Sequence, residues 1–251
     1  MFKEKRKTIQ NPISFMGSTM FNKGKTLVKL YPSFENSGII IKRVDINDKN
    51  NVIFANYKSF KSAKNGITLE NEDGVSICNV EHIISAIWGA GVDDIIMEVD
   101  GPEIPMNGDN ADSFLFLLNS ASIKNLEKER KVLVLEKDIE LCVSDNCYIK
   151  AEQSENFIID MKVVEDNNKY EFRFDNSVFP YEDAVSKIKG CKEEMRNKND
   201  VAKHKILDFI GGLYLAGYYV LGDFYCSNVD SDLASKFLTL VFSNEENYKI
   251  I

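Results

Sequence analysis

Only two histidines occur in the 251 residues of this chain, and each stands beside groups that could give an imidazole chemical work. His82 follows Glu81 in the run Val80-Glu81-His82. His204 opens His204-Lys205-Ile206-Leu207-Asp208, and residues four apart on a helix share a face, so His204 and Asp208 can converge on one point. Zinc is commonly bound by imidazole nitrogen and carboxylate oxygen, with a fourth position open to water in catalytic sites. Two histidines and one aspartate supply three such ligands. Glu81, next to one ligand, is placed to accept a proton from water. Lys205, next to another, is placed to stabilise negative charge developing on a substrate oxygen. Each half also has a plainer explanation. His82 alone reads as a neutral, partly exposed structural histidine, and an i, i+4 hydrogen bond on a solvated helix accounts equally well for His204 and Asp208. Spacing by itself does not bring His82 to His204.

These residues need elements to hold them. Val80, Ile83, Ile84 and Ile87 fall at helical spacing, with Asn79 as the expected N-cap and Gly89 and Gly91 marking the end. Val201 to Leu215 reads as a second site-bearing helix. Before the first come short strand-like runs, Thr26 to Tyr31, Gly38 to Val44 and Val52 to Tyr57, separated by turn clusters. After it come a strand at Asp94 to Val99 and a helix at Ala111 to Ile123. The charged stretch Lys124 to Lys131 is the expected boundary, and beyond it the order repeats. Strands are expected at Val132 to Val143, Tyr148 to Glu152, Phe157 to Val164 and Tyr170 to Phe174. Helices follow near Tyr181 to Arg196 and at Val201 to Leu215, then a strand at Tyr218 to Tyr225 and a helix at Leu233 to Phe242. Two strands-then-helices halves make an α+β chain of two similarly built layers. The division places one domain at residues 1–125, a linker at 126–131 and a second domain at 132–251.

Composition narrows the function further. A net charge of -8 argues against a nucleic-acid partner, because phosphate binding calls for clustered Lys and Arg. The five cysteines form no C-x-x-C pair and no disulfide framework. Met1 to Gln10 lacks the apolar core of a signal peptide. The nearly apolar run Phe209 to Gly222 falls short of the ~20 residues that span a bilayer. A reduced, cytoplasmic protein without a transmembrane segment is the expectation. No feature of the sequence sets an oligomeric state.

Two long motifs then carry a resemblance. Val80-Glu81-His82-Ile83-Ile84-Ser85-Ala86 continues through Gly91-Val92-Asp93-Asp94 to Glu98-Val99-Asp100-Gly101-Pro102-Glu103-Ile104-Pro105. This resembles the central motif of the zinc-dependent UDP-3-O-acyl-N-acetylglucosamine deacetylases. Lys203-His204-Lys205-Ile206-Leu207-Asp208, with Ile210-Gly211 and Leu213-Tyr214-Leu215 after it, is similar to that family's second motif. Weaker similarity runs through Gly38 to Asp45, and the match covers most of the chain in order. The resemblance implies a pair of α/β sandwiches with the active site between them. It implies removal of acetyl from a UDP-linked acylated glucosamine in lipid A synthesis, with possible peripheral contact with lipid through the acyl chain. It implies zinc held by His82, His204 and Asp208, a general base at Glu81 and a substrate-side contact at Lys205. Iron(II) suits the same two imidazoles and carboxylate.

The chain also departs from that pattern. Where the family carries an aspartate that orients a catalytic histidine stands Gly212, and the histidine's own place falls in Val229-Asp230-Ser231. A threonine that stabilises the oxyanion is absent from Ser186-Lys187-Ile188-Lys189-Gly190-Cys191, and about thirty residues lining a passage for the acyl chain are missing, judged against the family pattern. The turn after Pro105 reads Met106-Asn107-Gly108-Asp109, and the early turn between Gly17 and Gly24 has no histidine. Losing an oxyanion donor or a general acid each costs roughly a hundredfold or more in rate. The reading is therefore a divergent deacetylase of reduced activity. Its alternatives are a zinc-binding but impaired homologue acting as a binding or regulatory module, and an amidase for a smaller acetylated substrate.

Overall fold

Alternating inward and outward residues write the strands, and the computed structural model describes residues 4–62, 64, 66–105, 111–165, 168–177 and 199–251. The first stretch runs β1 (Lys5–Ile9), β2 (Ile13–Ser18), β3 (Lys25–Pro32), β4 (Ile39–Arg43), β5 (Val52–Phe54), β6 (Phe60–Ser62), β7 (Thr68–Glu70) and β8 (Ser76–Ile77). It continues with α1 (Glu81–Gly89), β9 (Ile95–Val99), α2 (Ala111–Ser120) and β10 (Ile123–Glu129). Next come β11 (Val132–Leu135), β12 (Ile139–Ser144), β13 (Cys147–Glu152), β14 (Phe157–Glu165) and β15 (Asn168–Asp175). The chain closes with α3 (Asp200–Leu213), β16 (Tyr219–Ser227), α4 (Ser231–Phe242) and β17 (Tyr248–Ile250).

Five strands form the first sheet in the order β2-β3-β9-β4-β5, with β4 parallel to β9 and the other pairs antiparallel. Thr26, Val28 and Leu30 of β3 and Ile95, Met97 and Val99 of β9 are buried on one face, the period-2 pattern of a sheet covered on one side. The second large sheet is built around β16, whose first residues pair with β11 and whose later residues lie between β13 and β14. Helices join the two: α1 packs on α2 and α3, and α3 packs on α4 and β14. Tyr214 donates its hydroxyl to Val92 O at 2.7 Å and Tyr219 donates to Trp88 O at 2.7 Å, so the end of α1 is fastened to the later part of the chain.

Several boundaries differ from the sequence expectation, for local reasons. The run from Val132 to Val143 is two strands, because Glu136 N turns aside to bond Asn247 O. The helix from Ala111 stops at Ser120, and Ser122 takes a left-handed φ of 59° before β10 begins. Asn79 is not the N-cap of α1. Its φ is 63°, its side-chain amide donates to Ile104 O at 3.2 Å, and Val80 occupies the cap position. The charged stretch Lys124 to Lys131 lies mostly in β10, paired with β1, and both strands are too rich in charged and polar residues to show an apolar period of two. The helix expected near Tyr181 to Arg196 lies outside the described residues.

Two buried arginines lock this frame. Arg6 makes a bidentate pair with Asp94 at 2.7 and 2.8 Å, and Asp94 also accepts from Gly38 N at 2.8 Å. Arg130 pairs with Asp93 through two bonds of 2.9 Å, donates to Gly91 O at 2.6 Å and lies 4.3 Å over the Tyr219 ring. The loop after α1 is thereby held by β1, by the residue following β10 and by β16. Removing one member of a buried, hydrogen-bonded pair strands the other charge, at about 3–5 kcal/mol. Arg130→Ala should lower the urea midpoint accordingly, while Lys137→Ala, which breaks an exposed pair with Glu246, should shift it far less.

Candidate metal centre

The site begins where α1 meets α3. Every residue from Glu81 to Trp88 is buried, so α1 is enclosed on all sides, and its polar first turn is enclosed with it. Helix α3 buries Ala202, Ile206, Leu207, Phe209 and Ile210 and leaves His204, Lys205 and Asp208 on a partly open face. The helices come into backbone contact at Gly211. A methyl group there would stand 2.4 Å from Glu81 O, closer than any real contact. A Gly-Gly pair inside a helix is unfavourable by about 1 kcal/mol per residue relative to alanine, and at Gly211 close approach is the reason for it.

That approach brings the separated imidazoles together. Asp208 Oδ1 stands 3.3 Å from His82 Nε2 and 3.4 Å from His204 Nε2. The two rings lie 5.1 Å apart, inclined at 67°. One donor atom from each of the three residues falls within 4.8 Å of the others. Asp208 Oδ1 is buried without a hydrogen-bond partner, and so is His82 Nδ1. Burial opposes ionisation of Asp208, but the neighbouring His204 and His82 rings outweigh it and hold the carboxyl well below the usual carboxylate range. A cluster of nitrogen and oxygen lone pairs with an unsatisfied buried oxygen fits a divalent cation such as zinc.

The remaining candidates sit around this triad. Lys205 Nζ is 3.9 Å from Asp208 Oδ2 and partly exposed. Glu81 Oε2 accepts from Ile67 N at 2.7 Å, and burial pushes its carboxyl above the ordinary range. All five expected residues, Glu81, His82, His204, Lys205 and Asp208, therefore occupy one locality. Cys78 lies nearby, with its thiol pushed up to about 11 by burial and by the Glu103 and Glu81 carboxylates. Glu103, fully buried, accepts from Met20 N at 2.6 Å, Phe21 N at 3.1 Å and Asn22 N at 3.0 Å and so anchors the early turn.

Gly212 sits against α4. A methyl group there would lie 3.2 Å from Ala234 Cβ and 3.8 Å from Ile67 Cδ1, so the place has been filled by apolar packing. Asp230, near the other altered position, caps α4 by accepting from Leu233 N at 2.8 Å. The altered segments 106–110 and 178–198, including Ser186 to Cys191, lie outside the described residues. The contributions of Gly66, Ile67 and Gly211 were not visible as site features in the sequence, although the Gly-Gly pair within a helix was a usable signal for the last.

A family model for UDP-3-O-acyl N-acetylglycosamine deacetylase matches residues 6–190 and 173–243. The chain is 27% identical to the UDP-3-O-acyl-N-acetylglucosamine deacetylase of Haemophilus influenzae (strain PittEE), over 98% of this chain and 93% of that protein. It is 28% identical to the enzymes of the same name from Blochmanniella floridana and Wigglesworthia glossinidia brevipalpis, over 98% of this chain and 95% of each relative. The first two alignments run over 286 residues, more than the 251 of the whole chain, so these relatives carry residues that this one lacks.

Overpacking at the helix crossing costs about 1–3 kcal/mol. Gly211→Ala should lower the thermal midpoint and weaken zinc binding in a chelator competition. Gly24→Ala should change neither, since an added carbon there meets nothing closer than 3.7 Å.

Proposed function

The chain belongs to the UDP-3-O-acyl N-acetylglycosamine deacetylase family, and on that footing we propose that it is a zinc-dependent enzyme that hydrolyses the N-acetyl group of UDP-3-O-acyl-N-acetylglucosamine in lipid A synthesis. The observation that carries this reading is the convergence of His82, His204 and Asp208 from two helices far apart in sequence. We read the chain as two α/β sandwiches, residues 1–125 and 132–251, with the site between them and a linker at 126–131. Reduced thiols on Cys78, Cys142, Cys147 and Cys226 agree with a cytoplasmic setting, and no helix among the described residues is long and apolar enough to cross a membrane.

His82, His204 and Asp208 would hold the metal, which when bound supplies Lewis acidity and lowers the pKa of water; iron(II) would serve the same ligands. Glu81 takes a proton from the attacking water as its oxygen bonds to the acetyl carbonyl carbon. Lys205 offers its ammonium to the oxygen on which negative charge collects. The C–N bond then breaks, and Glu81 delivers its proton to the departing amine, giving acetate and the free amino sugar. One carboxylate serves as base and then as acid in this account. The apolar packing of Gly212 against Ala234 and Ile67 supports that economy, since α3 presents no carboxylate at that place.

The same packing favours a second reading, a metal-binding homologue that recognises the sugar nucleotide without turning it over. The extra aligned length of the relatives favours a third, an amidase for a smaller acetylated substrate. Acetate release from the acylated sugar nucleotide, and from small N-acetyl amides, separates the three. Zinc-loaded protein should deacetylate UDP-3-O-acyl-N-acetylglucosamine, and Glu81→Ala should lower kcat by roughly a hundredfold or more while keeping its zinc. Zinc-loaded protein that binds this substrate and never cleaves it would establish the second reading.

A further inference from the structure

Glu81 is held by the segment around Gly66 and Ile67, ahead of α1 in the chain. Ile67 N–H donates to Glu81 Oε2 at 2.7 Å, and Ile67 O accepts from Val80 N at 3.4 Å, so one buried residue grips both the side chain of Glu81 and the backbone just ahead of it. The Ile67 side chain is fully buried and reaches toward Gly212 of α3. Before it stands Gly66, with a φ of +68°. A methyl group at Gly66 would lie 2.3 Å from Glu81 Oε1 and 2.8 Å from Oε2. The carboxylate therefore rests against bare backbone, and that backbone conformation is one that a residue with a side chain rarely adopts.

Two constraints meet on one carboxylate. The hydrogen bond to Oε2 fixes its rotation, and the missing side chain at position 66 fixes how far it can lie toward the 66–67 segment. From these we infer that Gly66 and Ile67 are positioning residues for the reaction, aiming Glu81 rather than merely closing the core. The inference rests on the reading of Glu81 as the proton carrier. Filling the space at position 66 must push the carboxylate off its seat and break its bond to Ile67. The metal ligands lie on α1 and α3, not on this segment, so their geometry should survive the change. A displacement of about 1 Å at a reacting group can lower the rate on the order of a hundredfold.

Gly66→Ala, Glu81→Gln and the double variant test this in the zinc-loaded full chain. Gly74→Ala serves as the strain control, because Gly74 has a φ of +72° and nothing within 4 Å of an added carbon. Expected for Gly66→Ala are one zinc per chain, a thermal midpoint below that of Gly74→Ala because a buried hydrogen bond is also lost, an unchanged KM and a kcat for UDP-3-O-acyl-N-acetylglucosamine lowered about a hundredfold. The double variant should be no slower than Glu81→Gln. In nitrogen-15 spectra the Ile67 amide proton should lie downfield and move upfield in Glu81→Gln, a readout that needs no turnover and no folded Gly66 variant. A Gly66→Ala enzyme with normal kcat, losses that add in the double variant, or an Ile67 amide indifferent to Glu81→Gln would each overturn the inference. Normal kcat in Glu81→Gln would instead overturn the proton-carrier reading itself.

Discussion

Two imidazole nitrogens stand 3.3 and 3.4 Å from one carboxylate oxygen, Asp208 Oδ1, and that oxygen is sealed from water. Such a cluster brings lone pairs together and is unfavourable unless positive charge lies among them, as a proton or as a metal ion. The rest of the structure accommodates this arrangement. Helix α1 is buried on every side, Gly211 lets α3 touch its backbone, and Arg6 and Arg130 fix the loop that follows it. Donors held in place in this way would reduce the ordering that binding a cation requires.

Glu81 is the carboxylate seated beside the triad, and burial keeps its proton on more readily than in water. Gly212 brings α3 against Ala234 of α4, with the end of the Ile67 side chain beside it. An added carbon at 212 would lie 3.2 Å from Ala234 Cβ, so a side chain there needs its neighbours to give by a few tenths of an ångström. The neighbourhood of the His82, His204 and Asp208 cluster is in this way packed through apolar contact at Gly212.

Much of this was legible beforehand. The i, i+4 relation of His204 and Asp208 placed both on one face of α3, and the apolar period of Val80, Ile83, Ile84 and Ile87 located α1. The meeting of the two helices was carried by resemblance to a family, since no local pattern encodes a contact between residues so far apart. Strands β1 and β10 escaped notice because their exposed faces are charged and their pairing is long-range. Asn79 looked like a cap by residue type, yet its side chain serves Ile104 and its backbone makes a turn that only tertiary contacts could select. Gly66 was invisible for a related reason: its importance lies in what its missing side chain would have struck.

Zinc K-edge X-ray absorption of the metal-loaded protein probes the proposed ligand set directly. The account predicts two imidazoles at about 2.0–2.1 Å, with oxygen completing the shell and no sulfur scatterer. A thiolate at about 2.3 Å, or a shell containing a single imidazole, would contradict it.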